Sequence, residues 1–160
     1  MRKAFFLSVL KKGVSMRCFY EDGVRFSCVE SCCYCCSCEP GYVFLSQPDL
    51  DRLCTYTGME AEAFIETYCR IVDMGAFSMI SLREKQNYDC VFLKNGNCSV
   101  YEARPKQCRT YPFWMSVMES EEHWEAEKQS CPGIGKGRLY TKEEIEDLLK
   151  VDLQQSPIIR

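Results

Sequence analysis

Hydrophobic and polar residues repeat with helical spacing after the first cysteine-rich segment. Residues 46–49 have the features of a helix start, because a serine suits the cap, a proline the first turn and an acidic residue the positive end of the helix dipole. Apolar residues then recur three or four positions apart until Gly58, which is placed to end the helix. A second helix is predicted over about 60–72, with one apolar face made of Ala61, Phe64, Ile65, Tyr68 and Cys69.

Shorter apolar segments around this helical pair predict strands. Residues 41–45, 78–82 and 88–93 are apolar runs of strand length. Asn95-Gly96-Asn97 is a turn signal between the last of these runs and a strand over 98–101. The chain therefore predicts a short antiparallel hairpin in its second half.

The C-terminal part predicts less regular structure before one last helix. Arg104-Pro105 begins a short helix, and the charged residues 119–122 predict a solvated loop before a strand near His123-Trp124. Residues 141–144 form a capping box for a helix that runs to about Leu149.

These elements predict an α+β fold in a small single domain. Its two central helices, short antiparallel sheet and C-terminal helix are joined by irregular cysteine-rich loops that we expect to be organised around metal. We expect residues 1–17 to be an N-terminal extension, in which Met16 is a possible start, followed by a cysteine-cluster metal-binding domain over 18–153 and a loose tail over 154–160. The length of 160 residues suits one domain.

Cysteine is the unusual component of the composition, with 13 residues against a single histidine. A formal net charge of −3 gives no electrostatic reason to expect nucleic acid or an anionic membrane as the partner. No apolar run approaches the roughly 18 to 20 residues that a helix needs to span a bilayer. We therefore expect neither a nucleic-acid nor a membrane partner.

The cysteine count and spacing also bear on the cellular compartment. An odd count with two adjacent pairs, at 32–33 and 35–36, argues against a secreted disulfide scaffold. The apolar stretch at 4–10 is short for an export signal, and no small-residue cleavage site precedes Cys18. We expect a cytoplasmic protein whose cysteines remain reduced.

Two groups of cysteines have the pattern of metal ligands. The first has the spacing C-x3-C-x2-C-C, and thiolates this close in sequence can converge on one ion at about 2.3 Å. The second group is sparse, with two members flanking the predicted hairpin and two beside irregular segments. Thiolates accept zinc, iron or an iron–sulfur cluster, in two four-thiolate sites or in one two-metal site with bridging thiolates. The predicted ligands are Cys28, Cys32, Cys35, Cys36, Cys90, Cys98, Cys108 and Cys131.

The other cysteines and the histidine fit other roles. Cys54 and Cys69 lie on apolar faces of the predicted helices, which favours burial as inert core residues. Cys18, Cys33 and Cys38 are left without an assigned role. The Glu-rich surroundings of the lone histidine, His123, favour a surface position over ligation, and one histidine provides no natural base for nucleophilic catalysis.

Several of these segments together resemble the YkgJ-type cysteine-cluster family, whose CxxCxxCC domain is described as chelating zinc or iron. The resemblance covers about 24–135 and implies metal binding far more securely than catalysis. The chain departs from the family pattern at Cys33, where glycine is usual, and by adding Cys18 and Cys38, which leaves the exact ligand set open. The segments that carry it, in the family's order, are Phe26 to Cys36, Gly41 to Ser46 leading into the Asp49 helix, Cys90 to Leu93, Cys98 to Pro105, Cys108 to Phe113 and Cys131 to Gly133.

Two arginines flank one of the predicted ligands. Anionic sulfur in a partly buried site needs hydrogen-bond donors and positive charge nearby. Arg104 and Arg109 lie on either side of Cys108 and can supply both, unless they form ordinary surface ion pairs. The neighbouring aromatic residues predict a cover packed over the site; they are Tyr101, Tyr111, Phe113 and Trp114.

These observations favour a protein that binds zinc or iron through thiolates. Its role is then metal handling or service as an accessory module of a modification enzyme, with a protein partner left open. The alternatives are an iron–sulfur oxidoreductase and a thiol redox protein, in which neighbouring cysteines cycle. The residues do not decide whether the chain is an enzyme.

Overall fold

The computed structural model describes residues 18–30, 32–37, 40–154 and 156–159. The predicted N-terminal extension 1–17, with Met16, and the thiol of Cys38 lie outside the described residues. The described part contains five α-helices and three two-stranded antiparallel sheets, which confirms the predicted α+β class. None of the described helices is long and apolar enough to cross a membrane.

The two central helices begin as their sequence predicts. Helix α1, Gln47–Thr57, has a complete capping box between Ser46 and Asp49, and it ends at Gly58, whose φ of 68° is in the left-handed region that glycine tolerates. Helix α2 spans Ala61–Tyr68. The prediction of one helix over 60–72 was therefore wrong at its end, because the chain turns into a strand at Cys69.

The sheets are short ribbons that join distant parts of the chain. The strands are β1 Val24–Phe26, β2 Cys69–Asp73, β3 Ser78–Leu82, β4 Leu93–Lys94, β5 Asn97–Cys98 and β6 Arg138–Tyr140. Strands β2 and β3 form a hairpin in which Ile71 is opposite Ile80, whereas β1 pairs with β6 across more than a hundred residues. The run at 88–93 contributes only its last residue to a strand, and 41–45 makes a single isolated bridge, at Phe44.

The end of the chain packs beside β3. The Ile158 N–H donates to the Leu45 carbonyl at 2.8 Å, and the Ile158 carbonyl accepts from the Ile80 N–H at 3.4 Å. Ile158 also packs against the neighbouring core. The described residues 156–159 are therefore held by backbone pairing, where the sequence predicted a loose tail.

The C-terminal half contains three helices. Helix α3, Lys106–Thr110, follows Arg104-Pro105 as predicted. Helix α4, Glu121–Glu127, replaces the predicted loop and strand, because Ser120 caps it by accepting the His123 N–H and two glutamates occupy its first turn. Helix α5, Lys142–Leu153, begins with the predicted capping box and continues one turn beyond the predicted end.

Two separate hydrophobic cores support the domain. The first lies between α1, α2 and the β2–β3 hairpin and is centred on Leu53, Phe64 and Ile80, each fully buried. The second lies between α4, α5 and the β1–β6 ribbon and contains Phe113 and Ile145. The cysteine-rich segments run between these two cores.

Candidate metal centre

The first cysteine group folds into consecutive tight turns. The Cys32 N–H donates to the Val29 carbonyl at 3.0 Å, and the Cys36 N–H donates to the Cys33 carbonyl at 2.8 Å, closing a 3-10 turn over Tyr34–Cys36. These turns use the short spacing of the motif to keep its thiols near one another. Within the turn, the sulfurs of Cys35 and Cys36 are 3.9 Å apart.

A backbone hydrogen bond joins this loop to the second cysteine group. The Cys90 N–H donates to the Cys36 carbonyl at 2.7 Å. Cys98 lies in β5 opposite Leu93, so the β4–β5 hairpin brings it back toward Cys90, as the sequence predicted for residues flanking this turn. The loop and the hairpin therefore meet at the site.

The last two predicted ligands come from different elements. Cys108 is in α3, and Cys131 follows α4 at the edge of the second core. The Ser27 N–H donates to the Gly133 carbonyl at 3.2 Å, which ties the segment after Cys131 to the beginning of the cysteine loop. This hydrogen bond brings the segment after Cys131 next to the segment before Cys28, although they are more than a hundred positions apart in the chain.

Electrostatic interactions link all eight predicted ligands, and Cys35 lies at the centre of them. Burial, followed by the charges of Cys90, Cys35 and Cys98, raises the pKa of Cys108. Cys35 interacts in this way with the thiols of six other predicted ligands, and Cys32 interacts with two of these six; the six are Cys28, Cys36, Cys90, Cys98, Cys108 and Cys131. Members of both cysteine groups therefore lie within electrostatic range of Cys35, and we call the eight predicted ligands the thiol cluster.

The donor chemistry of the thiol cluster fits zinc or iron, while its complete geometry is not preformed. Four sulfurs around one zinc ion at about 2.3 Å lie about 3.8 Å from one another, close to the observed separation of Cys35 and Cys36. Across the described residues, however, no three Cys, His, Asp or Glu side chains are arranged so that together they could hold one ion. Metal binding would therefore require the thiols to move closer together.

The Cys35–Cys36 pair is chemically asymmetric. A hydrogen bond from Cys36 lowers the pKa of the Cys35 thiol to about 7 against the opposing effect of burial, and the Arg104 guanidinium contributes in the same direction. The same hydrogen bond, together with burial, raises the pKa of Cys36. Cys35 is consequently the thiol most ready to lose its proton near neutral pH among those with a resolved shift.

The two arginines differ in their relation to the thiol cluster. The positive charge of Arg104 acts to lower the pKa values of four thiols against the larger effect of burial; they are Cys28, Cys35, Cys98 and Cys108. Its guanidinium lies 3.7 Å from the centre of the Tyr101 ring and donates to the Tyr101 carbonyl at 2.8 Å. Arg109 is exposed and interacts with Cys108 alone among the thiols.

Four of the described cysteines are outside the predicted ligand set. Cys69 is buried in the first core, where burial raises its pKa to about 12, and Cys54 packs against the same core. The Cys33 sulfur accepts a hydrogen bond from the Ser37 hydroxyl at 3.7 Å. Cys18 lies beside Glu21 on the surface of the second core. His123 is exposed on α4.

The predicted aromatic cover is divided between the core and the surface. Phe113 belongs to the second core, where its ring is 5.6 Å from Phe26. Tyr101 is exposed beneath Arg104, whereas Tyr111 and Trp114 are half-buried with their rings 4.9 Å apart. Only the last two therefore line the space beside the thiols.

Two supporting residues near the site have no clear signal in the sequence. The buried carboxylate of Asp49 accepts the Lys106 N–H at 2.8 Å and so fixes the first turn of α3, although the sequence identifies it only as a helix-start residue. Glu127 accepts the Tyr111 hydroxyl at 2.6 Å. Both contacts join residues that are far apart in the chain, which local patterns do not reveal.

Comparisons with known proteins identify the family of this chain. A family model described as "CxxCxxCC: Putative zinc- or iron-chelating domain" matches residues 27–132. The uncharacterized protein MJ0939 of Methanocaldococcus jannaschii is 30% identical over 126 residues, which is 75% of this chain and 41% of that protein. The chain thus spans less than half the length of this relative. No solved structure matches this chain significantly. Because the family match covers well over half of the chain, the protein belongs to the CxxCxxCC family, the family described as chelating zinc or iron.

Proposed function

We propose that this chain binds zinc or iron through the thiolates of the thiol cluster. The observation that carries the proposal is the convergence of thiols from two sequence groups around Cys35. Zinc and ferrous iron both accept an all-thiolate environment, and the metal would supply cross-linking of the surrounding loops. The proposed ligands are Cys28, Cys32, Cys35, Cys36, Cys90, Cys98, Cys108 and Cys131.

The position of the thiol cluster supports a structural contribution of the metal. Cys90 and Cys98 pack against the first core, whereas Cys131 belongs to the second. A metal ion held by Cys90 or Cys98 together with Cys131 would join the two cores. Since the required three-donor arrangement is not preformed among the described residues, binding and closure of the loops would be coupled.

The proposal includes a cytoplasmic location, because reduced thiolates persist there. Metal handling, or service as an accessory module of a modification enzyme, is the role that such a centre would serve. A protein partner belongs to the second of these roles.

The direct test is the metal content of the protein purified without oxygen. We expect zinc or iron in stoichiometric amounts, and a loss of metal in Cys35→Ser but not in the matched control Cys54→Ser, because Cys54 lies in the first core. A brown sample with acid-labile sulfide would identify an iron–sulfur centre in place of single ions. A protein that binds neither metal and keeps its fold in chelator would refute the proposal.

A thiol redox function is the second candidate, and the Cys35–Cys36 pair supports it. Their sulfurs are 3.9 Å apart, and the pKa of Cys35 is lowered to about 7 by its hydrogen bond with Cys36. In exchange with a partner disulfide, the Cys35 thiolate would attack one sulfur and release the other as a thiolate. Reversible mixed-disulfide formation at Cys35 in a metal-free, fully folded protein would favour this function over metal binding.

The arginines provide a finer test of the metal proposal. Arg104→Met removes a positive charge that interacts with four thiols, whereas Arg109→Met removes one that interacts with Cys108 alone. We expect Arg104→Met to weaken metal affinity about tenfold or more and Arg109→Met to have a smaller effect. A competition titration with a chromophoric chelator measures both, and equal affinities in the two variants would contradict the role of Arg104.

A further inference from the structure

An open cleft of 320 Å³ lies beside the thiol cluster. Three clustered thiols line it together with aromatic rings and two carboxylates. This volume is at the lower end of the range of about 300–1,000 Å³ for small-molecule sites. The cleft therefore suits a ligand of only a few heavy atoms.

The charged side chains in the cleft leave one carboxylate without a cation. Glu84 is paired with Arg70 at 2.9 Å. The Arg83 guanidinium donates to two backbone carbonyls. Glu127 accepts the Tyr111 hydroxyl at 2.6 Å through one oxygen, and among the described residues it has no ion-pair partner. Glu127 is thus the one carboxylate of the described lining that has no ion-pair partner.

Aromatic surface lies next to this carboxylate and is already fixed in position. The Trp114 indole N–H donates to the Gln107 carbonyl at 2.9 Å, and the rings of Tyr111 and Trp114 meet at 65°. The Gln107 side chain in turn donates to the Tyr42 carbonyl at 2.9 Å. These hydrogen bonds hold the rings without a ligand, which lowers the entropy cost of binding one.

We propose that this cleft binds a small organic ammonium ion, with the Glu127 carboxylate as its counter-ion and the rings of Tyr111 and Trp114 packed against its alkyl groups. Electron-rich aromatic faces attract organic cations, and a half-buried carboxylate discriminates against neutral and anionic ligands of the same shape. Glu127 and the rings provide these contacts whether or not metal is present. Four thiolates on a divalent ion would add negative charge, so that part of the attraction rests on the proposed function.

The test compares cations with neutral molecules of the same shape. Isothermal titration of the purified protein would use choline against 3,3-dimethylbutan-1-ol and n-butylammonium against n-butanol. We expect each cation to bind about fivefold or more tightly than its neutral counterpart. Equal affinity within each pair would overturn the inference.

A matched pair of variants locates the effect. Glu127→Gln removes the charge but keeps an oxygen that can accept the Tyr111 hydroxyl, so we expect cation affinity to fall to that of the neutral molecule. Glu125→Gln makes the same change on α4 at an exposed residue that pairs with Lys128 outside the cleft, and we expect unchanged binding. Equal losses in both variants would indicate only a long-range charge effect and would also overturn the inference.

Two further measurements keep the test decisive. If Glu127→Gln fails to fold by circular dichroism, raising the ionic strength from about 0.05 to 0.5 M should weaken the cations and leave the neutral molecules unchanged, because salt screens charge. Metal content is measured on each sample. In the unmodified protein, absence of cation preference with metal bound refutes this inference alone, whereas cation preference in a protein that takes up no metal refutes the metal proposal alone.

Discussion

Replacement of Asp49 by asparagine should destabilise the protein far more than the same change two residues later. The Asp49 carboxylate is 1% exposed and accepts from four donors in two segments. One oxygen accepts the Ser46 N–H and hydroxyl, and the other accepts the Lys106 N–H and Arg52. This carboxylate therefore joins the beginnings of α1 and α3.

The magnitude follows from the donors that asparagine cannot satisfy. Its remaining oxygen can still accept from Lys106 and Arg52, while its amide group faces the Ser46 N–H, which loses its acceptor at a cost of about 1–3 kcal/mol. The bonds to Lys106 and Arg52 lose the contribution of the negative charge, about 1 kcal/mol in total. Because the Arg52 side chain is 30% exposed, water can solvate much of its unpaired charge. We expect a loss of about 2–4 kcal/mol.

Urea denaturation at one fixed free-metal concentration measures this loss, since bound metal shifts apparent stability. The control is Asp51→Asn, at an exposed residue whose side chain accepts, within the described part of the chain, only from Gln47 at 2.8 Å. For this variant we expect a change below about 0.5 kcal/mol. Asp49→Asn within 0.5 kcal/mol of the wild type would refute the reasoning. A loss in Asp51→Asn equal to that in Asp49→Asn would refute it as well.

Three other predictions test different parts of the fold. Gly133→Ala would place a Cβ 2.3 Å from the Ser27 carbonyl oxygen, so thermal unfolding should show that the free energy of unfolding falls by about 2 kcal/mol or more. Gly41→Ala, at a position with open space around it, should be nearly neutral. Equal effects of the two changes would contradict the close approach at Gly133. In metal-free protein, the rate of Cys35 alkylation by iodoacetamide, followed by mass spectrometry, should increase through about pH 7, because hydrogen bonding lowers its pKa and the thiolate is the nucleophile. Cys69, whose pKa is about 12, should stay unlabelled over the same range. A midpoint near pH 9 at Cys35 would contradict this prediction. Ending the chain at residue 154 should lower the melting temperature, because both backbone hydrogen bonds of Ile158 are lost; an unchanged melting temperature would show that this pairing is dispensable.

Local signals predicted the elements whose ends are encoded by neighbouring residues. The serine, proline and acidic residue at 46–49 and the capping box at Thr141 predicted where α1 and α5 begin. The end of α2 was not predictable in this way, since the apolar spacing through Val72 fits a helix. Pairing with Met79 in the next strand makes this segment a strand instead. Helix α4 was missed because Ser120 is its main signal and only Trp124 is buried along it.

The candidate site shows the same division between local and distant information. Cysteine spacing predicted which thiols to consider, and the structure places thiols of both groups within electrostatic range of Cys35. Sequence could not show that Cys35 lies at their centre, because its neighbours Cys90 and Cys131 come from remote segments. Nor could it show the contact of Glu127 with Tyr111, since the geometry of α4 creates it.

The two hydrophobic cores bear on how the molecule unfolds. Each core has its own helices and strands, so the contacts that join the two cores, among them those of the cysteine-rich segments, set the number of cooperative units. When the cysteine-rich segments are held in place, the core around Phe64 and the core around Ile145 would unfold together in a single cooperative transition. With them released, each core becomes a foldon that can open while its neighbour remains intact.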